Sequence, residues 1–195
     1  SNQQNSNKIT IGLLITNFSD FFGTQIVRSI VNCLSKKINI ILKISNGEIE
    51  RENELIQCLL DSGIDGLILL PSSSEYVSPK ILELVSNNFP LVILDRAMSG
   101  LPICTVQTDN TSAAKDLTSY LFDQGHTKIG LITSDSSVAT IDERVNGFLA
   151  THIERNMSVQ NSQLLSTIDS VVPGSKRGFS EDITTITTFI RDNSN

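Results

Sequence analysis

The fold is decided by the stretch KITIGLLITNFSDFFGTQIVRSIVNCL, residues 8–34. Its first part, 8–15, is a near-continuous apolar run of the kind that forms a strand buried on both faces of a sheet. Apolar residues then recur at helical spacing, which predicts a helix over 21–36. A buried strand followed directly by an amphipathic helix is the repeating unit of parallel α/β proteins.

The alternation of strands and helices repeats along the first half of the chain. Its apolar runs are rich in Val, Ile and Leu and do not alternate with polar residues. They therefore predict a parallel sheet that is covered by helices on both faces. The predicted strands are 38–44, 65–71 and 91–95, and the predicted helices are 48–62 and one that carries Ile81, Leu82 and Val85.

A second series of elements begins with a short strand at 102–107 and a helix that Asp109 or Asn110 caps. The sequence therefore predicts an α/β protein with two lobes, 8–100 and 101–195. The remaining predicted strands of the second lobe are 128–133 and 164–168, and its remaining predicted helices are 139–154 and 179–192.

The charge balance of the chain is acidic. It has 15 basic and 21 acidic residues, a net charge of −6, and no basic cluster. Nucleic-acid binding needs clustered Lys and Arg, so we expect that this chain does not bind DNA by itself. Its polar beginning is unlike a signal peptide, and no apolar run approaches the ~20 residues of a membrane span. The sequence therefore predicts a cytoplasmic protein with no membrane partner.

No motif of a catalytic or cofactor site is visible in the sequence. Cys33, Cys58 and Cys104 lack the spacing of metal ligands, so we expect buried free thiols. His126 and His152 lie outside any pattern of nucleophile or metal ligands. The glycines form neither a phosphate-binding loop nor a dinucleotide fingerprint. We therefore expect no enzymatic activity, no metal and no cofactor.

The best candidates for a binding site are polar residues that follow the predicted strands. Right-handed crossovers place these positions at one edge of a parallel sheet, where ligands bind. The run LVILDR ends in Asp95 and Arg96, and Ser73 follows the third strand. Two interpretations are open for Asp95 and Arg96: they are ordinary surface charges, or they hold a ligand.

Other candidates also have two interpretations each. In NFSDFFGT, residues 17–24, aromatic residues beside Asp20 suit either a helix cap with a hydrophobic staple or a sugar-binding face. Arg144 carries a rigid fork of donors that suits paired hydroxyls or a carboxylate, or a surface ion pair with Asp142 or Glu143. Asp109 suits a helix cap first and a ligand contact second.

Several segments, in this order, resemble the effector-binding domain of LacI/GalR-type transcription regulators. They are IGLLITNFSDFFGTQIVRSI, DGLILLPSS, PLVILDR, VQTDNTSAAKDLTSYLFDQGHTKIGLI and ERVNGF. The resemblance covers about residues 8–193. It implies a periplasmic-binding-protein-like fold whose two lobes hold a small molecule, usually a sugar, sugar phosphate or nucleobase. It also implies a homodimer that binds DNA only through an N-terminal helix–turn–helix, which this chain lacks.

The resemblance assigns roles to individual residues. It implies ligand contacts at Asp20, Phe22, Asp95 and Arg144, and we expect Arg144 to be a partner of Asp95. It suggests Asp109, Ser73 and Arg96 as further candidates. The segment SDFFGT lacks the proline usual in the family, and the chain ends before the family's last strands. The second lobe is therefore expected to be truncated.

The sequence thus leads to two functional hypotheses of different classes. The first is the sugar-binding effector domain of a transcription regulator, in which the ligand controls DNA binding by the full-length dimer. The alternative is the sugar-binding receptor of an ABC-type transporter with the same fold. The segments GHTKIG and RVNGF favour the regulator, because they resemble that family. An enzyme ranks third, since no nucleophile–base pair is visible.

Overall fold

The computed structural model describes residues 8–17, 22–34, 38–73, 76–98, 100–134, 139–170 and 175–194, with only the backbone at Phe22. The chain divides into two compact units, the first ending at Gln107 and the second beginning at Thr108.

Within the described residues, the first unit contains a five-stranded parallel sheet with the order β2-β1-β3-β4-β5. Helices connect the strands, as predicted from the alternating periods of the sequence. The strands are β1 (Ile9–Ile15), β2 (Ile38–Ile44), β3 (Gly66–Leu69), β4 (Leu91–Leu94) and β5 (Cys104–Val106), and the helices are α1 (Phe22–Cys33), α2 (Ile49–Asp61) and α3 (Pro79–Ser86).

Helices cover both faces of this sheet, because successive side chains of a strand point to opposite faces. Leu14 of β1 is fully buried in a cluster with Ile56 of α2 and Ile81 of α3. Its neighbour Leu13 belongs to a second cluster, against which Val27 of α1 packs. The prediction of a parallel sheet buried on both faces is therefore confirmed.

The strand order also locates the crevice of the sheet. The connection from β1 to β2 and the connection from β3 to β4 run to opposite sides, so the order reverses between β1 and β3. In doubly wound sheets, ligands bind outside the carboxyl ends of the strands at such a switch point. The carboxyl ends of β1, β3 and β4 therefore border the candidate site of the first unit.

In the second unit, the described residues form two parallel strands, three α-helices and a short 3₁₀ helix (Asn161–Gln163). Helices α4 and α5 pack closely at Gly147, where an added Cβ would lie 2.4 Å from the carbonyl oxygen of Thr111. The elements are α4 (Asn110–Asp123), β6 (Leu131–Ser134), α5 (Ala139–Glu154), β7 (Leu164–Ile168) and α6 (Phe179–Asp192).

The structure corrects two expectations about single elements. The strand predicted at 102–107 was assigned to the second lobe, whereas β5 pairs with β4 and completes the first sheet, with Leu94 opposite Val106. The sequence predicts the boundary between the lobes after Gly100, whereas the first unit continues through β5 and ends at Gln107. The strand predicted from Lys128 begins at Leu131.

The prediction of buried thiols is wrong. Cys33, Cys58 and Cys104 are free and exposed. Cys33 is the last residue of α1, and Cys104 lies on the edge strand of the sheet. Cys58 stands two residues after the buried Ile56, and residues two apart on a helix do not share a face. In the part of the chain that is described, no helix is long and apolar enough to cross a membrane.

Candidate functional site

Arg96, which follows β4, folds back onto the loop after β3. Its Nη1 donates hydrogen bonds to the carbonyl oxygens of Pro71, at 2.8 Å, and Ser72, at 2.9 Å. Burial lowers the pKa of Arg96, while the negative charges of Asp95 and Glu52 act in the opposite direction. Arg96 therefore binds the chain's own backbone, and its role in this structure is to hold the loop after β3.

Glu52 of α2 holds the same loop from the other side. Glu52 is 3% exposed, and its carboxylate accepts a hydrogen bond of 2.6 Å from the backbone N–H of Ser72. The hydroxyl of Ser72 lies 3.0 Å from that of the fully buried Ser45. The two backbone groups of Ser72 are thus held by an acid and a base. We call Glu52, Ser72 and Arg96 the Ser72 clamp.

Burial raises the pKa of Glu52 above its ordinary value of 4.5, and the hydrogen bonds from Ser72 and the charge of Arg96 only partly oppose this rise. The folded chain therefore binds this proton more tightly than the unfolded chain does. The resulting stabilisation is fully present below pH 4.5 and is lost as the pH rises through the raised pKa.

We expect Glu52→Gln to remove this pH dependence. Relative to the wild type, the variant should gain in free energy of unfolding as the pH rises from 4.5 towards neutrality. Urea unfolding over this pH range measures the difference. Glu54→Gln, an exposed change on the same helix, is the matched control and should follow the wild type. Parallel curves for the wild type and Glu52→Gln would contradict the assignment.

Asp95 adopts a backbone conformation that residues other than glycine rarely adopt. Its φ is 62°, in the left-handed region, where the chain turns after β4. Its N–H donates to the carbonyl oxygen of Val106 at 2.9 Å, and the N–H of Arg96 donates to that of Leu94 at 2.7 Å. Strained positions of this kind cluster at functional sites.

The carboxylate of Asp95 is partly buried and lies close enough to Arg96 to influence its charge. Among the residues that the structure describes, no side chain or N–H donates a hydrogen bond to it. A carboxylate has about four acceptor positions, so the carboxylate of Asp95 can accept hydrogen bonds from a ligand. The role of Asp95 as a ligand contact stays a prediction, which its position at the carboxyl end of β4 supports.

Of the other candidate site residues in the first unit, the structure describes the side chain of Ser73 but not those of Asp20 and Phe22. The hydroxyl of Ser73 accepts a hydrogen bond of 3.2 Å from the N–H of Tyr76. Asp20 lies outside the described residues. Phe22 begins α1, but its side chain also lies outside them. The roles expected for Asp20 and Phe22 stay predictions.

In the second unit, Asp109 is the N-cap of α4. Its Oδ1 accepts a hydrogen bond of 2.9 Å from the N–H of Ser112, and this bond lowers the pKa of Asp109. The capping interpretation therefore accounts for this residue. A contact of Asp109 with a ligand stays a prediction.

Arg144 of α5 is fixed by a buried amide. Its Nε donates to Oδ1 of Asn110 at 2.8 Å, and Asn110 is 1% exposed. The ion pairs expected as the alternative, with Asp142 or Glu143, are not found among the described residues. Glu143 instead accepts from Nδ2 of Asn110 at 3.0 Å. A pairing of Arg144 with Asp95 stays a prediction.

Arg144 and Asn110 also line a cavity of about 330 Å³ within the second unit. The other lining side chains are mainly apolar and include Leu117, Leu121 and Phe148. The guanidinium of Arg144 is thus at the polar part of an open, otherwise apolar space. A molecule that enters this space meets donors rather than acceptors at that point.

Two parts of these networks were not predicted. Glu52 stands in the charged segment IERENEL, which looks like an exposed helix face, and no sequence signal distinguishes it from its neighbours. The sequence indicates Asn110 only as a possible cap of α4. Its position directly after Asp109, at the start of a helix, gave no sign of a bond to Arg144, which is 34 residues away.

A doubly wound parallel sheet with a polar carboxyl edge, followed by a second α/β unit, is an arrangement that many α/β proteins use to bind small molecules. Residues 8–175 match the family described as periplasmic binding proteins and sugar binding domain of LacI family. The chain belongs to this family.

Relatives agree with this assignment. The chain is 27% identical over 163 residues to a probable HTH-type transcriptional regulator, EndR, of Paenibacillus polymyxa, covering 80% of the chain and 46% of that protein. It is 31% identical over 143 residues to the ribose operon repressor of Escherichia coli K12, covering 72% of the chain and 43% of that protein. The chain thus spans less than half the length of these curated relatives.

Solved structures show the same fold. A LacI transcriptional regulator from Lactobacillus brevis superposes with a TM-score of 0.75 at 29% identity, covering 94% of this chain and 66% of that one. A putative ribose operon repressor from Burkholderia thailandensis gives a TM-score of 0.68 at 25% identity, covering 80% and 60%. The predicted resemblance to effector-binding domains of LacI-type regulators is confirmed.

Proposed function

We propose that this chain is the effector-binding part of a transcription regulator, and that its effector is a sugar or a similar neutral polyol. The observation that carries the proposal is the carboxylate of Asp95, which stands at the carboxyl edge of β4 in a strained turn and has no donor among the described residues. Relatives named as transcriptional regulators and as a ribose operon repressor support it.

The chemistry of the candidate residues favours a hydroxylated ligand. Asp95 accepts hydrogen bonds from ligand hydroxyls. Ser73 adds a hydroxyl after β3, the strand that pairs with β4. Arg144 offers donors that suit a ligand oxygen. Asp20 and Phe22 would add a second acid and an aromatic face. Because Arg96 is engaged with Pro71 and Ser72, few cations remain for a multiply charged anion.

In the whole protein, the effector would act by shifting a conformational equilibrium. A ligand can do this only if it binds two states of the protein unequally. We propose that the full-length protein is a cytoplasmic homodimer that binds DNA through a separate helix–turn–helix. The relatives named above are regulators, which favours this function over a receptor of a transporter.

The proposal is tested by thermal unfolding of the chain against pentoses, hexoses, sugar phosphates and purines, with D-ribose first. A ligand that binds the folded state raises the midpoint, and the increase grows with ligand concentration. We expect such a shift with a sugar. A shift only with a purine or a sugar phosphate would replace the sugar by that class. No shift with any member would contradict the proposal for this chain.

We expect Asp95→Gly and Asp95→Asn to weaken binding of the sugar that the panel identifies. Both replacements tolerate a positive φ, so they remove the charge without straining the turn. A hydrogen bond to a charged group is worth about 1.5–3 kcal/mol, which corresponds to a loss of roughly 10- to 100-fold in affinity. Calorimetric titration measures it. Asp61→Asn, an exposed acid of the same unit, is the control. Unchanged affinity in both Asp95 variants would exclude this residue as a contact.

A further inference from the structure

Asn110 is a buried amide whose orientation is determined by its partners. Its Nδ2 donates to the carbonyl oxygen of Thr108 at 3.1 Å and to Oε2 of Glu143 at 3.0 Å. Both partners are acceptors, so the amide nitrogen must face them and Oδ1 must face the other way. Oδ1 accordingly accepts the hydrogen bond from Nε of Arg144 at 2.8 Å. Both N–H donors of this amide and one of the two acceptor positions of its oxygen are thereby used.

This arrangement fixes one edge of the guanidinium and leaves the opposite edge for other partners. Arg144 itself is exposed. Among the described residues, its Nη1 and Nη2 have no hydrogen-bond partner. A guanidinium is planar, so a bond at Nε restricts the direction in which the terminal nitrogens donate. A long side chain held in this way loses less entropy when it binds a ligand.

We propose that Asn110 is a positioning residue for ligand recognition, which holds Arg144 with its terminal nitrogens directed to an acceptor oxygen of the bound molecule. Glu143 takes part by orienting the amide of Asn110. This inference rests on the proposed function, because it assumes that Arg144 contacts the effector. The ligand class that it implies is a molecule with one or two acceptor oxygens, such as a hydroxylated ring.

The first test needs no ligand. The Nε–Hε group of Arg144 gives its own NMR signal, which is assigned by its disappearance in Arg144→Lys. In the wild type, we expect slow hydrogen exchange and restricted motion for this group. Asn110→Ala should speed exchange at least several-fold, because the acceptor is gone. If exchange and motion are the same in both proteins, Asn110 does not hold Arg144.

A charge-conserving exchange separates positioning from a general loss of structure. Asn110→Asp alone places a carboxylate against that of Glu143, so it should disturb the cluster. Combined with Glu143→Gln, it restores a donor–acceptor pair and keeps an acceptor for Nε of Arg144. We expect the double variant to recover slow exchange at Arg144. If Asn110→Asp with Glu143→Gln remains as mobile as Asn110→Ala, the proposed geometry is wrong.

The second readout is affinity for D-ribose. If the wild type binds D-ribose, Asn110→Ala should weaken binding about 10-fold, because Arg144 is then no longer held in the orientation in which it donates to the ligand. Adding Asn110→Ala to the Arg144→Lys variant should cause little further loss of affinity. Equal losses in both backgrounds would contradict positioning through Arg144. If the wild type does not bind D-ribose, the same comparison is made with the sugar that the thermal unfolding panel identifies, and equal affinity of the wild type and Asn110→Ala would contradict the proposal.

Discussion

We expect Arg96→Met to lower the free energy of unfolding of the chain by about 3 kcal/mol. Methionine fills a similar volume but donates no hydrogen bond. The substitution leaves the carbonyl oxygens of Pro71 and Ser72 without their donor and removes the positive charge that favours ionised Glu52. Breaking one side of a buried acid–base arrangement is costly because the other side stays buried.

Arg51→Met is the matched control for this prediction. Arg51 also donates to a backbone carbonyl, that of Ile44, at 3.2 Å, but it is exposed and water can replace the bond. We expect its loss to be below about 1 kcal/mol. Urea unfolding of both variants makes the comparison. If both variants lost the same free energy of unfolding, the burial of Arg96 would contribute nothing to the stability of the chain.

A double-mutant cycle then tests whether the Ser72 clamp acts as one unit. Glu52→Gln removes the charge that Arg96→Met leaves uncompensated, so the double variant should be more stable than the sum of the single losses predicts. We expect a coupling of about 1–2 kcal/mol. Additivity within about 0.5 kcal/mol would show that the two side chains act independently.

The second large effect is expected at Gly147, where Gly147→Ala should destabilise the chain by about 2 kcal/mol. The added Cβ would lie 2.4 Å from the carbonyl oxygen of Thr111 and 2.8 Å from Cβ of Ala114. Both obstacles belong to α4, and the first is backbone, so the helices have to separate. This cost exceeds the gain of about 1 kcal/mol that alanine brings to a helix.

Gly178→Ala is the control for Gly147, because it makes the same change in the same unit. Gly178 has a φ of −82°, and the nearest atom to an added Cβ is 3.7 Å away. We expect a thermal midpoint within a few degrees of the wild type for Gly178→Ala, and a clearly lower one for Gly147→Ala. A neutral Gly147→Ala would show that α4 and α5 separate without cost.

Most of the element pattern could be predicted from the sequence. The apolar run 8–15 and the helical spacing after it are local signals, and they lead to β1 and α1 within a few residues. The continuous apolar character of the strands also predicts a parallel sheet with helices on both faces, because only strands covered on both faces are apolar on both faces. The partner of β5 was not predicted. A three-residue strand carries no information about which sheet it joins.

The sequence by itself determined the class of fold and the position of the polar edge, since right-handed crossovers place every loop that follows a strand at the same edge of a parallel sheet. It placed Asp95 at that edge. Only the tertiary structure decided that Arg96 beside it turns back to Ser72, that Glu52 lies buried, and that Asn110 holds Arg144. These contacts join residues 20 to 34 positions apart, and their partners are backbone groups or an amide. Every residue has backbone groups, so no residue pattern marks such a contact before the chain is folded.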